Sequence, residues 1–228
     1  MKTVFRGLLA LLLCLIGATS AWAETGITPS SIVIGQTGVF SGPVAEPALQ
    51  YRAGAQLYFD EVNAKGGISG RKIKLVSYDD KFDPKLAAEN TRKLIEEDKV
   101  FALFGYIGTG ATVASIPKIN EHRVPVIGAL SGADGLRDPK LNLIFHTRAS
   151  YGAETGKMVE QLTTTGVKSI AVVFQDDPFG KAGLKSVQGA FTKFNIKPTI
   201  EAPIDMGKLD ALAATTTEIA KTHPGAII

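Results

Sequence analysis

Short apolar runs alternate with amphipathic stretches along this chain. Five strands are predicted at 32–35, 72–78, 100–104, 124–127 and 143–145, with helices at 47–64, 84–97 and 109–121, the last bent or shortened by Pro117. After residue 146 the pattern restarts with strands at 169–174, 199–203 (edge-like) and 225–228. Three helical stripes accompany them: Tyr151, Thr155, Met158 and Leu162; Leu184, Val187, Phe191 and Phe194; Leu209, Leu212, Thr216 and Ile219. This α/β alternation predicts two Rossmann-like lobes with parallel central sheets.

A glycine-rich loop joins the third strand to the third helix in the sequence FGYIGTGATVAS, residues 104–115. Gly105, Gly108 and Gly110 precede or open the helix, where unpaired backbone N–H groups and the helix dipole suit a small anion or carboxylate. The spacing matches neither the dinucleotide fingerprint nor the phosphate-binding loop. From these residues alone, the loop is either an ordinary turn or a ligand cradle.

The N-terminus has the features of an export signal. Lys2 and Arg6 precede an apolar run at 8–16, and the small-residue pattern Ala21-Trp22-Ala23 predicts cleavage after residue 23. The run is too short for a membrane span, which needs about 20 residues. We therefore expect a signal peptide at 1–23 and a periplasmic protein, which loses its only cysteine, Cys14, on cleavage.

Charge and side-chain spacing exclude several functions. Without Lys2 and Arg6 the chain has 23 basic and 22 acidic side chains, so no electrostatic pattern indicates nucleic acid. The paired carboxylates at 79–80 and 176–177 are interpreted as strand-ending and helix-capping residues. The three histidines, at 122, 146 and 223, lack metal-ligand spacing, and no nucleophile motif occurs. We expect no catalytic residues, no metal and no cofactor.

The last predicted strand ends the sequence without a helix to cover its sheet. We expect a signal peptide at 1–23, an N-terminal ligand-binding lobe at 24–146, and a C-terminal lobe at 147–228 that is incomplete in a C-terminally truncated chain.

Several phrases resemble one family. SGPVA, NAKGGI and YDDKFDP within residues 41–84, followed by FHTRASYGAET at 145–155 and QDDPFGKAGL at 175–184, resemble the periplasmic branched-chain amino-acid binding proteins of ABC importers. The resemblance implies a type I periplasmic binding fold, in which two lobes close on a small ligand without chemical change. It also implies a monomer that is read by an ABC permease in the inner membrane.

The resemblance also implies a ligand site. Thr109, between Gly108 and Gly110, stands where the family places a hydroxyl for the ligand carboxylate; the alternative is a simple helix N-cap. Ser131, Gly132 and Ala133 resemble the loop that holds the ligand's ammonium and carboxylate groups.

Two aromatic residues of the second lobe complete the implied site. Tyr151 either faces the cleft or packs in its helix's apolar stripe, and Phe179 replaces a tyrosine common in the family as a lid. Pro47 stands where the family has an aromatic residue. With these departures, the resemblance implies a ligand that is an amino acid or a related small carboxylate or amide. The alternative function is a periplasmic sensory or regulatory subunit on the same scaffold.

Overall fold

Two separate parallel sheets organise the chain. The computed structural model describes residues 24–228, and the predicted signal peptide at 1–23 lies outside the described residues. The first sheet has five strands and the second has three, which confirms the predicted α/β fold class. We call each sheet with its helices a lobe.

The first lobe contains β1 to β5 and α1 to α3. Its elements are β1 (Ser31–Gly38), α1 (Glu46–Ala64), β2 (Lys72–Asp79), α2 (Pro84–Glu96), β3 (Ala102–Phe104), α3 (Thr109–His122), β4 (Val126–Ile127) and β5 (Ile144–Phe145). A 3-10 turn, Asp134–Arg137, lies between the last two strands.

The second lobe contains α4 to α6 and β6 to β8. Its elements are α4 (Tyr151–Thr164), β6 (Ile170–Gln175), α5 (Pro178–Phe194), β7 (Ile200–Ile204), α6 (Leu212–Lys221) and β8 (Ala226–Ile227). Residues 146–150 connect the lobes. No helix among residues 24–228 is long and apolar enough to cross a membrane.

Strand order determines where loops meet. The orders are β2-β1-β3-β4-β5 and β7-β6-β8, and every named pair is parallel. Parallel neighbours need crossover connections, so the carboxyl ends of all strands in a sheet lie at the same edge. The loops after β1, β3 and β4 are therefore neighbours. As the sequence predicts, β7 is an edge strand.

Each lobe has its own apolar core. In the first lobe, helices and sheet enclose Leu94, Leu103, Ile119 and Val126, all without measurable solvent exposure. In the second, Val159 and Ile170 pack with Val187 and Phe191.

Pro117 does not shorten α3, which was one of the two expected effects. The helix continues to His122. Proline lacks the N–H that would bond to the carbonyl of Val113, and its ring crowds that carbonyl. Both Val113 and Pro117 are exposed, so water can hydrate that carbonyl. The opposite face, which includes Ser115 and Ile119, stays buried and holds the helix in place.

The predicted stripe on α4 is partly wrong. Met158 was expected to face the core but is 50% exposed, whereas its neighbour Val159 is fully buried with Ile170 and Phe191. One residue corresponds to about 100° of helix rotation. The buried face is therefore centred one position further along than the spacing indicated.

Core packing gives a matched test. Leu103→Ala removes a fully buried side chain from β3, and we expect it to lower the free energy of unfolding by about 2–5 kcal/mol. Leu57→Ala, on α1, changes a side chain that is 75% exposed and should stay within about 0.5 kcal/mol of the parent protein. Urea unfolding followed by circular dichroism measures both. Equal losses would contradict this assignment of the core.

Candidate functional site

The amino end of α3 lacks a side-chain cap. Gly105 and Gly108 have positive φ angles of 57° and 97°, and Gly108 is the N-cap residue. A side chain at Gly105 would place its Cβ 2.5 Å from the ring of Tyr51, so the close approach requires glycine. Because no side chain caps the helix, its first-turn N–H groups and the positive end of its dipole can serve an anion.

Two predicted site residues, Thr109 and Ser131, are hydrogen-bonded to each other. Their hydroxyl oxygens are 2.8 Å apart, and the side chains are 4% and 0% exposed. Ser131 Oγ also accepts a hydrogen bond from Ala133 N at 3.2 Å. Thr109 is the first helical residue, so the alternative that it is a simple N-cap is wrong.

Sheet pairing explains why these two hydroxyls meet. β3 and β4 pair through Phe104 and Ile127, and a further parallel bridge joins Ile107 to Leu130 beyond the strand ends. The Leu130 N–H donates to the carbonyl of Tyr106 at 2.7 Å. The two loops therefore run side by side as far as the helix start, which brings residues 109 and 131 into contact.

Tyr151 closes over the loop that contains Ser131. Its N–H donates to the carbonyl of Gly132 at 2.6 Å, and a Cβ at Gly132 would lie 2.4 Å from the tyrosine ring. The ring is 8% exposed and meets Phe179, which is 42% exposed, edge-on at 5.9 Å. Tyr151 thus packs between the lobes, so it faces the lobe boundary and also belongs to an apolar cluster with Ala133 and Leu136.

Three cavities lie around these residues. The largest, about 600 Å³, is lined by Thr109 and Ala133 together with side chains of α5. A second, about 210 Å³, is lined by Gly110. The third, about 320 Å³, is lined by Tyr151 and Phe179. The predicted site residues therefore lie near one another but do not line one common cavity. Gly108, Ser131 and Gly132 line none of these three cavities.

The carboxylate pairs differ from the expected helix caps. Asp83 caps α2 through Lys85 N, and Asp177 caps α5 through Gly180 N. Asp79 and Asp80 instead hold loops: Asp79 accepts from Phe40 N, and Asp80 accepts from Thr37 Oγ1 at 2.9 Å and from Phe82 N at 3.0 Å. The capping prediction is confirmed for Asp177 and wrong for Asp79, Asp80 and Asp176, which forms an ion pair with Lys181 instead.

Asp80 holds two loops together next to the candidate site. It is fully buried, and Asn90 donates to Thr37 Oγ1 at 3.1 Å within the same network. Burial raises the pKa of Asp80 to about 6, despite the hydrogen bonds that it accepts. The loop that it orders carries Phe82, whose ring would lie 3.2 Å from a Cβ at Gly108.

The structure also shows a residue that the sequence did not indicate. Asp134 accepts hydrogen bonds from Gly152 N and Ser186 Oγ, both in the second lobe. An Asp-Gly pair after a strand is typical of a turn, and only the contacts across the lobes distinguish this one. In the described part of the chain, no cluster of three or more His, Cys, Asp or Glu side chains could hold a metal ion.

Comparison with known proteins identifies the family. A model described as "Periplasmic binding protein" matches residues 31–228, which is most of the chain. The chain belongs to the periplasmic binding protein family. This confirms the resemblance found in the sequence, and the family consists of solute-binding proteins rather than enzymes.

Relatives of known name agree with this assignment. The chain is 27% identical to an amino acid binding protein of Pseudomonas aeruginosa, over 94% of this chain and 57% of that protein. It is 28% identical to the Leu/Ile/Val-binding protein of Escherichia coli K12, over 90% of this chain and 54% of that protein. The chain thus spans about half the length of the curated relatives it matches.

Among solved structures, a substrate-binding periplasmic protein from Ralstonia solanacearum is similar in fold and sequence. It is 32% identical with a TM-score of 0.75, over 81% of this chain and 52% of that one.

Asp80 gives the site a pH-dependent stability. Its pKa is about 6 in the folded protein and 3.8 in its unperturbed form, so the folded state holds the proton more tightly and stability falls as pH rises through 6. We expect unfolding free energies, measured by urea titration, to fall by about 1 kcal/mol between pH 5 and pH 8 relative to Asp80→Asn.

Glu160→Gln is the control, because Asp79 is one of the charges that raise the pKa of Asp80 and cannot serve as one. Glu160 is exposed on α4 in the second lobe, and its hydrogen bond with Lys157 lowers the pKa of its carboxyl. The parent protein and Glu160→Gln should therefore have the same pH dependence from pH 5 to 8. A parallel dependence in Asp80→Asn as well would contradict the role given to Asp80.

Proposed function

We propose that this protein is the solute-binding component of an ABC importer and binds an amino acid, or a related small carboxylate or amide, between its two lobes. Family membership supports a binding role, and relatives named as amino acid and Leu/Ile/Val-binding proteins support the ligand class. The proposal concerns the class of ligand, because Pro47 and Phe179 depart from the pattern of the branched-chain binders.

The observation that carries the proposal is the hydroxyl pair at the uncapped amino end of α3. A carboxylate can accept hydrogen bonds from backbone N–H groups of the first turn and from Thr109 Oγ1, at the positive end of the helix dipole. The hydroxyl oxygens of Thr109 and Ser131 are hydrogen-bonded to each other at 2.8 Å, so both hydroxyls are already held in position. A ligand carboxylate would replace one hydroxyl as a partner without moving the backbone.

Closure follows from the placement of the other predicted residues. Gly132 and Ala133 belong to the first lobe, whereas Tyr151 and Phe179 belong to the second. A ligand that contacts both sets gains its full interaction energy only when the lobes are together. Binding therefore shifts the equilibrium toward the closed arrangement, which a permease can recognise.

We also propose where the protein acts and with which partner. A signal peptide at 1–23 would export the protein to the periplasm, where family members act. The lobes at 24–146 and 147–228 would then act as a monomer with an inner-membrane ABC permease.

A threonine series tests the carboxylate contact. We expect Thr109→Ala to weaken binding about 10- to 100-fold, the usual range for a hydrogen bond to a charged group, and Thr109→Ser to retain affinity within about threefold. Isothermal titration calorimetry against amino acids, amides and aromatic acids first identifies the ligand, then compares the variants.

Thr217→Ala provides the control. Thr217 is exposed on α6 and donates to the carbonyl of Ala213 in its own helix, so its loss should leave affinity unchanged. Unchanged affinity in Thr109→Ala would rule out the clamp. Absence of binding across the whole panel, or chemical turnover of a ligand, would overturn the proposed function.

A further inference from the structure

One carboxylate of the first lobe is bonded to two helices of the second. Asp134 begins the 3-10 turn Asp134–Arg137, and its Oδ2 accepts from the backbone N–H of Gly152 at 3.0 Å and from Ser186 Oγ at 2.6 Å. Gly152 lies on α4 and Ser186 on α5. Asp134 therefore ties both helices to the first lobe.

The contact with α4 is electrostatically favourable. Gly152 is the second residue of α4, and the helix's own N-cap, Ser150, bonds to the N–H of Ala153 instead. Asp134 thus supplies an acceptor that α4 lacks in its own sequence, and a negative charge at the positive end of the helix. A helix of the second lobe is in effect capped by the first.

The contact is also built to be reversible. Asp134 is exposed, so water can solvate its carboxylate when the lobes separate. Ser186 Oγ lies 3.0 Å from the carbonyl of Ala182 in its own helix, which gives its hydroxyl another acceptor. Neither group becomes buried without a partner on opening, so breaking the contact costs only the net strength of the hydrogen bonds.

The local sequence makes room for this contact. A Cβ at Gly152 would lie 3.0 Å from Asp134 Oδ1 and 3.1 Å from Oδ2, which is closer than ordinary packing allows. Any larger residue at position 152 would therefore push the carboxylate away from the helix end. Glycine at this position lets the carboxylate approach the helix.

We infer that Asp134 is an interlobe latch, which stabilises the observed arrangement of the two lobes through Gly152 and Ser186. It is a positioning residue: its Oδ2 accepts hydrogen bonds from the second lobe and thereby favours the arrangement in which the lobes are together. Loss of the latch raises the population with separated lobes. The resulting loss of ligand affinity rests on the proposed function, whereas the change in lobe separation does not.

Spin-label distances measure the latch directly. Cysteines introduced at two exposed positions, Asn120 on α3 and Lys197 after α5, carry the labels on a background in which Cys14 is absent or replaced. Pulsed electron resonance on the ligand-free protein then gives the distribution of lobe separations. Asp134→Ala removes both hydrogen bonds to the carboxylate, and we expect it to raise the ratio of separated to closed molecules at least about tenfold. Ser186→Ala removes one of the two and should raise the ratio about threefold.

The control is Asp138→Ala. Asp138 follows the same turn and is exposed, and its carboxylate accepts from Lys140 N within its own lobe, so the distance distribution should not change. Ser186→Ala added to Asp134→Ala should have no further effect, because both remove the same contact. If Asp134→Ala does not fold, the single Ser186→Ala variant carries the test.

Two results would overturn the latch: distance distributions in Asp134→Ala, or in Ser186→Ala should the first fail to fold, that match the parent protein, or full additivity of the two substitutions. Calorimetry separates this proposal from the proposed function. Loss of binding in Thr109→Ala with unchanged distances in Asp134→Ala refutes the latch alone. Changed distances in a protein that binds no amino acid, amide or aromatic acid support the latch and refute the proposed function.

Discussion

Parallel pairing of β3 with β4 is the constraint on which the candidate site depends. The pairing continues past the strand ends through the bridge from Ile107 to Leu130, so two loops from different crossovers run side by side. Their next polar side chains, Thr109 and Ser131, meet at 2.8 Å at the start of α3. A helix terminus that would otherwise be a generic anion site thereby gains two hydroxyls in fixed positions.

The sequence predicted the features that local chemistry controls. The glycines predicted where α3 begins, and the carboxylate pair at 176–177 predicted the cap of α5. The family phrases identified Thr109 and Ser131, but only the register between strands shows that these hydroxyls bond to each other. Local spacing also failed on α4, where packing against β6 and α5, rather than the helix's own periodicity, selects Val159 over Met158.

Asp134 shows why contacts between lobes escape sequence reasoning. Its neighbours in sequence describe a turn, whereas its partners, Gly152 and Ser186, lie 18 and 52 residues away in the other lobe. Asp80 is a second example, within one lobe. The sequence predicts that this strand-end aspartate caps a helix, whereas it accepts hydrogen bonds from two loops next to the candidate site. Both positions depend on three-dimensional proximity that no local pattern encodes.

A crystal structure with a bound amino acid would show whether the amino end of α3 holds the ligand. We expect the ligand carboxylate within hydrogen-bond distance of Thr109 Oγ1 and of backbone N–H groups in the first turn of α3, with the ligand between the lobes. A bound amino acid elsewhere, or one whose carboxylate does not contact Thr109 or that first turn, would contradict it.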